Sequence, residues 1–368
     1  MNSKLKEIVA NRTLMQTLGS GGVGKTTLSV VLGIAASRLG KKTLVITIDP
    51  SKRLMDTLRI NPNQDISYVK EFGIFAMMID VAKSWDMLLR RYASEKTYRK
   101  IINNRFNNYL KDYFPGFDEY IASEMIYHMM NVQDYDMIVV DSPPSIYAIS
   151  YLEASNRVID LLSNDFILSL IQYIDIGSSP INYIMKKEIF ILKNIARFTG
   201  MEMLSELIKF VNLLSPLLQG FRQRASFIKR FYASKRCGFF IVTLPNDVSF
   251  HNTDILSEYL ANLNYQLDGI LINRLCSACG GRQLCKIEDI SEQFIQGQIE
   301  GIQDERLKRI VQKYLKSHIL TRSEVFKKIE EFASRYRENT DIFAVPEMTG
   351  YIKSVDDIYS ILNGMRTL

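Results

Sequence analysis

The run Gly19-Ser20-Gly21-Gly22-Val23-Gly24-Lys25-Thr26 has the residue types and spacing of a phosphate-binding loop, G-x-x-x-x-G-K-[ST]. Glycines let successive backbone N–H groups turn inward and cradle phosphate oxygens. Lys25 adds a point charge for the outer phosphates, and the Thr26 hydroxyl suits a Mg²⁺ ion. Apolar residues recur at helical spacing over Leu28–Leu39, so the loop opens a helix whose amino end favours anions. Upstream, Thr13–Leu18 is a short strand-forming run. Strand, loop and helix thus follow one another in the order that phosphate binding requires.

Carboxylates at two further places suit the same chemistry. Asp49, in Thr47-Ile48-Asp49-Pro50, ends a strand-like run at the edge where doubly wound sheets hold ligands. Asp56 follows and could hold an attacking water, although its spacing alone better suits a helix-start carboxylate. Asp141 ends the apolar run Met137–Val140 and suits a carboxylate that holds Mg²⁺, often through water. Pro143-Pro144 then starts a stiff turn that could sense a terminal phosphate. Phosphoryl transfer needs mainly positioning and charge placement, which is what such residues supply.

The elements that must position these groups are legible as continuous β-rich runs: Thr43–Ile48, Ile74–Ile79, Met137–Val140, Phe239–Thr243, Gly269–Ile272 and Ile342–Val345. They do not alternate, as expected for strands buried on both faces of a parallel sheet. Helical segments lie between them, giving an α/β, doubly wound, mainly parallel sheet. Three stretches exceed simple crossovers and are assigned to a helical subdomain: 84–132, 161–235 and 276–339. The nucleotide-binding core is then 1–83, 133–160, 236–275 and 340–368.

Composition sets outer bounds. The chain of 368 residues, 47% hydrophobic and 23% charged, is that of an ordinary globular protein. Its 46 basic and 40 acidic residues give a net charge of +6, a small excess that does not by itself call for nucleic acid, which usually demands a clustered basic face. No run reaches the roughly 18 apolar residues of a membrane span. Met1–Asn11 has no apolar signal core and the carboxyl end no amphipathic anchor, so a cytoplasmic location is expected. Four cysteines are then expected to be reduced or metal-bound.

Together these motifs resemble the arsenical pump-driving ATPase (ArsA) family, which includes the tail-anchored-protein targeting ATPases. The similarity runs through Gly19–Thr27, Asp49–Leu58, Asp141–Arg157, Val242–Arg274 and Val345–Ile352. Tyr151-Leu152-Glu153-Ala154-Ser155-Asn156-Arg157 brings it nearest the bacterial branch with a single ATPase domain. The resemblance implies a P-loop fold, with nucleotide held by Gly19, Ser20, Gly21, Gly22, Val23, Gly24, Lys25, Thr26 and Thr27. It implies catalytic roles for Lys25, Asp56 (activating water) and Asp141, with Mg²⁺ at Thr26 and Asp141. It makes Asp141–Tyr147 the second switch, Asn273 the reader of adenine and Pro346-Glu347 the loop that flanks it. An asparagine's paired donor and acceptor suit adenine's edge, hence ATP rather than GTP. A homodimer serving a protein client or membrane partner is implied as well. Two departures stand out. Ser20 occupies a position where the family commonly has a lysine that reaches the partner's phosphates. Ile146-Tyr147 stands where many members have glycine–histidine.

Cys276-Ser277-Ala278-Cys279 resembles the CxxC with which the targeting ATPases share Zn²⁺ across their dimer. Cys285 is a third candidate ligand, while a redox pair and inert thiols are the alternatives. Apolar helices between Asp165 and Phe231, including Leu213, Leu214, Leu217 and Leu218, could line a groove for a membrane-anchor helix; packing on one another is the simpler reading. Arg90, Arg91, Lys96, Arg99 and Lys100 read as a solvated face. The expected function is an ATP-hydrolysing conformational switch. An energising subunit of an arsenite or oxyanion efflux pump and a slow nucleotide-gated positioning module are the alternatives.

Overall fold

Every residue of Leu14–Leu18 (β1), Thr43–Thr47 (β2), Met137–Asp141 (β5) and Cys237–Thr243 (β6) is buried. Strands without a polar face must lie inside a sheet covered on both sides. A computed structural model of the chain describes residues 1–48, 54, 58, 60, 65–108, 116–132, 134–163, 201–275, 304–348 and 355–368. With Ser67–Val69 (β3), Ile74–Met78 (β4), Leu267–Leu275 (β7), Asp341–Pro346 (β8) and Arg366–Thr367 (β9), the described residues form one sheet. Its order is β3-β4-β2-β5-β1-β6-β7-β8-β9. All pairings from β4 to β8 are parallel, and only the short edge strands β3 and β9 run antiparallel. The edge strands, three and two residues long, are too short to carry a periodic pattern, which is why both were missed. The α/β, mainly parallel architecture itself is the one expected.

The chain folds as two compact units. The first comprises Met1–Met78, Asp136–Ile146 and Lys235–Leu368; the second comprises Ile79–Tyr135 and Tyr147–Ser234. In the first unit, Ser3–Asn11 (α1) and Lys25–Ser37 (α2) share a core with β1, β2 and β5. A Cβ on Gly33 would come within 2.5 Å of Val45 Cγ2, so this glycine lets α2 lie close against β2. Lys41 holds the end of α1 in place: its Nζ donates to the carbonyls of Val9 (2.8 Å), Ala10 (2.8 Å) and Arg12 (2.6 Å). Asp247–Asn262 (α8) packs through Phe250 on Phe332 of Glu305–Ser334 (α9), the rings stacked at 4.1 Å.

The second unit contains Val81–Tyr92 (α3), Glu95–Ile102 (α4), Phe117–Val132 (α5), most of Ser145–Ser163 (α6) and Met201–Tyr232 (α7). Trp85 is central to its core: Nε1 donates to Asn107 Oδ1 at 2.8 Å, and Phe117 and Phe221 pack on the ring. Leu214 and Leu217 of α7 are buried in the same cluster, with Leu213 and Leu218 packed against it, so this part of the stripe is core. The completely buried Glu124 accepts from Arg224 Nε at 2.6 Å and from the Tyr120 hydroxyl. Exposed pairs Arg90–Asp86 and Arg99–Glu95, at i and i+4, confirm a solvated basic face there. No described helix is long and apolar enough to cross a membrane.

Candidate nucleotide-binding site

Strand order decides where a ligand can bind. After β1 the chain crosses to β2, beyond β5; after β5 it returns past β1 to β6. The carboxyl end of β1 is therefore the point where the winding reverses, the crevice that doubly wound sheets use for ligands. Residues 19–24 leave β1 there and enter α2. Gly24 caps α2 at φ +100°, and no side chain caps that helix end. The first-turn amides are thereby left for an anion. A Cβ on Gly24 would sit 2.2 Å from Asn273 Nδ2, so both backbone conformation and space demand glycine.

Lys25 folds back over the loop. Its Nζ donates to the carbonyls of Gly19 (3.0 Å) and Ser20 (2.9 Å), and the residue is buried. The Thr26 hydroxyl donates to Asp141 Oδ2 at 2.8 Å, and the Thr47 hydroxyl to the same oxygen at 3.0 Å. Strand register explains this convergence: Asp141 pairs with Thr17 of β1 on one side and Thr47 of β2 on the other. Thr17 in turn shares a hydroxyl contact of 2.7 Å with Ser29 of α2, and the Ser142 hydroxyl donates to the Thr17 carbonyl at 2.5 Å. Thr26 and Asp141 present hard oxygen donors, the chemistry that Mg²⁺ selects.

On the other side of β1, Asn273 Nδ2 donates to the Val23 carbonyl at 2.8 Å, while its Oδ1 accepts from Arg274 N at 2.9 Å. The β7–β8 register shifts between Ile272 and Leu275. Pro346 pairs with Leu275, and Glu347 N donates to the Leu275 carbonyl at 2.7 Å, so the ends of β7 and β8 are tied together. Gly21, Gly22 and Thr27 lie in the loop and the first turn of α2. Three further residues touch the site. Thr47 could have been found as a hydroxyl ending a strand; Asn252 and Arg274 carry no sequence signal. Arg274 Nη2 donates to the Gly22 carbonyl at 3.2 Å, and Asn252 Nδ2 to Ser20 Oγ at 3.0 Å.

Asp49, Pro50, Asp56, Cys276, Cys279 and Cys285 lie outside the described residues, as do the side chains of Ser145 and Ile146. Among the described residues no cluster of His, Cys, Asp or Glu could hold a metal ion. The remaining cysteine, Cys237, is a buried free thiol. Burial pushes its pKa well above the ordinary thiol range, outweighing the donor bond from Gln16.

A glycine loop between the central strand and its helix, with a carboxylate aligned beside it, defines a P-loop nucleoside triphosphatase. The sequence profile of the anion-transporting ATPases matches residues 12–336, and the chain belongs to this family. Relatives agree. ATPase ASNA1 homolog 1 of Paramecium tetraurelia is 22% identical over 291 residues, spanning 76% of this chain and 82% of the relative. The ATPase ASNA1 homolog of Entamoeba histolytica is 24% identical over 313 residues, 81% and 88% of the two chains. ATPase GET3 of Podospora anserina is 24% identical over 321 residues, 80% and 87%. The protein is an ATPase.

Proposed function

We propose that the chain is an ATP-driven conformational switch that couples turnover to a protein client or membrane partner. The observation that carries this reading is the meeting of Thr26 and Thr47 on Asp141 Oδ2 beside the glycine loop. A carboxylate joined to the loop's own hydroxyl can respond to what the loop holds. Loop amides of 19–26 and the Lys25 ammonium bind the phosphates; Asn273, Pro346 and Glu347 flank the adenine. Thr26 and Asp141, the latter partly through water, would hold Mg²⁺, which supplies charge neutralisation when bound. Asp56 positions water for attack on the γ-phosphorus, and the bond to the bridging oxygen breaks to give ADP and phosphate. Closure then works on a cytoplasmic homodimer through the helical subdomain, in which we place residues 84–132 and 161–235. Membership of the family supports ATP as the driver, and the resemblance to tail-anchored-protein targeting ATPases supports a client with an apolar helix.

The test is to capture partners on Asp56→Asn protein loaded with Mg·ATP or Mg·ADP, while following mass by light scattering and turnover by phosphate release. A partner and a dimer retained only with ATP are expected, with turnover suppressed. Equal capture with both nucleotides, or a monomer throughout, refutes the switch.

The family's description as anion-transporting favours one second reading, an energising subunit for oxyanion efflux. Cys276 and Cys279, with Cys285, would then bind a metalloid, or Zn²⁺ in the targeting reading. Arsenite stimulation of turnover that disappears in Cys276→Ser would favour the pump.

A further inference from the structure

Loop amides can bind phosphate only if the loop is held in a shape that its own glycines do not enforce. Two contacts from outside the loop bear on that need. Asn252 lies on α8, which Phe250, Thr253, Leu256 and Leu260 anchor in the core, and its Nδ2 donates to Ser20 Oγ at 3.0 Å. Arg274 lies on β7, and its Nη2 donates to the Gly22 carbonyl at 3.2 Å. We propose that Asn252 and Arg274 are positioning residues that brace the phosphate loop from its outer side and set its amides for phosphate before a ligand arrives. The proposal rests on the nucleotide reading above and extends it to residues that the phosphate-loop motif does not include.

Two features of the backbone support a dedicated role for Arg274. It adopts φ +61°, a left-handed conformation that side chains bearing a Cβ seldom take. It also falls where the β7–β8 register shifts between Ile272 and Leu275. An irregularity of this kind re-aims side chains, and strain of this kind persists where the surroundings hold it. Here it turns an exposed guanidinium onto the loop while Asn273 takes the neighbouring Val23 carbonyl. Ser20 has a parallel consequence. The side chain at the loop's second position is tied to α8 of its own chain, so the amino-terminal half of the loop is fixed in cis. Ser20 by Asn252 and Gly22 by Arg274 are thus held from two elements on one side of β1.

The experiment is calorimetric binding of Mg·ATP and of inorganic tripolyphosphate to the full chain and its variants. Asn252→Ala, Ser20→Ala and Arg274→Ala are each expected to weaken both ligands equally, by about fivefold, the loss of one modest hydrogen bond. The double variant Ser20→Ala/Asn252→Ala should bind no worse than either single variant, because both remove the same contact. Thermal midpoints should stay near wild type. If alanine unfolds α8, Asn252→Leu removes the donor at similar size without adding charge and gives the same reading. Full affinity in the Asn252 and Arg274 variants, additive losses in the double variant, or an Arg274 loss confined to ATP would overturn the brace. Wild-type protein that binds neither ligand would refute the nucleotide reading itself, whereas binding lost only in Lys25→Ala would refute the brace alone.

Discussion

Thr26 and Asp141 are separated by 115 positions in the chain, and the hydroxyl of one donates to the carboxylate of the other at 2.8 Å. The contact joins the first turn of α2 to the end of β5, the two elements between which a magnesium-bound phosphate would have to fit. Thr47 donates to the same oxygen and keeps the carboxylate oriented.

Asp141→Asn should therefore retain the fold but weaken Mg²⁺ dependence of turnover, by about 10- to 100-fold in metal affinity, as for other groups that orient a metal site. Thr47→Val should produce a smaller shift in the same direction. A magnesium titration of phosphate release measures both; an unchanged half-saturation point in Asp141→Asn would remove the carboxylate from the site.

Gly24 tolerates no side chain. At φ +100°, with Asn273 Nδ2 2.2 Å from where a Cβ would sit, alanine must distort the loop or expel Asn273. The left-handed penalty for a non-glycine residue is about 1–2 kcal/mol, so Gly24→Ala should lose about 5- to 30-fold in nucleotide affinity. Circular dichroism should be unchanged, since the strain is local.

Lys41 caps the carboxyl end of α1 by donating to three carbonyls, two of them in the helix. Hydrogen bonds from a charged donor are among the stronger ones, and a half-exposed setting reduces their worth. Lys41→Met should cost about 1.5 kcal/mol in urea unfolding and raise hydrogen exchange across Ser3–Asn11. Unaltered exchange in α1 would contradict the capping role.

Arg224 is the counter-charge of a fully buried carboxylate. Burial, the largest influence, holds Glu124 above the ordinary carboxyl range, while Arg224 and Tyr120 pull it down. Arg224→Met should cost about 3–5 kcal/mol near neutral pH, because it strands that charge. A carboxyl raised in the folded state contributes stability that is complete at low pH and lost as pH rises through its folded value. Removing Arg224 raises Glu124 further, so the penalty should shrink as pH falls into the acid range. A penalty independent of pH would show that Glu124 is not the group left unpaired.

The outline of the fold was legible because buried parallel strands have no polar face to interrupt them. The runs at 43, 74, 137, 239, 269 and 342 each begin within about two residues of a strand of the sheet. The edge strands β3 and β9 escaped notice, being three and two residues long and held only by a neighbour. The apolar stripe of α7 illustrates the opposite limit. A helical period announces a face but does not name what covers it, and the cluster around Trp85 and Phe221 is what buries Leu214 and Leu217.

What the sequence determined by itself was local: a glycine loop between strand and helix, because spacing along one chain segment fixes which amides and which lysine face a phosphate. What only the tertiary structure decided was which distant residues meet that loop. Thr47 reaches Asp141 because β2 and β5 are neighbours in register, and Arg274 reaches Gly22 because β7 lies beyond β6 with an irregular end. Strand order and register arise from packing of the whole sheet, and no single segment contains that information.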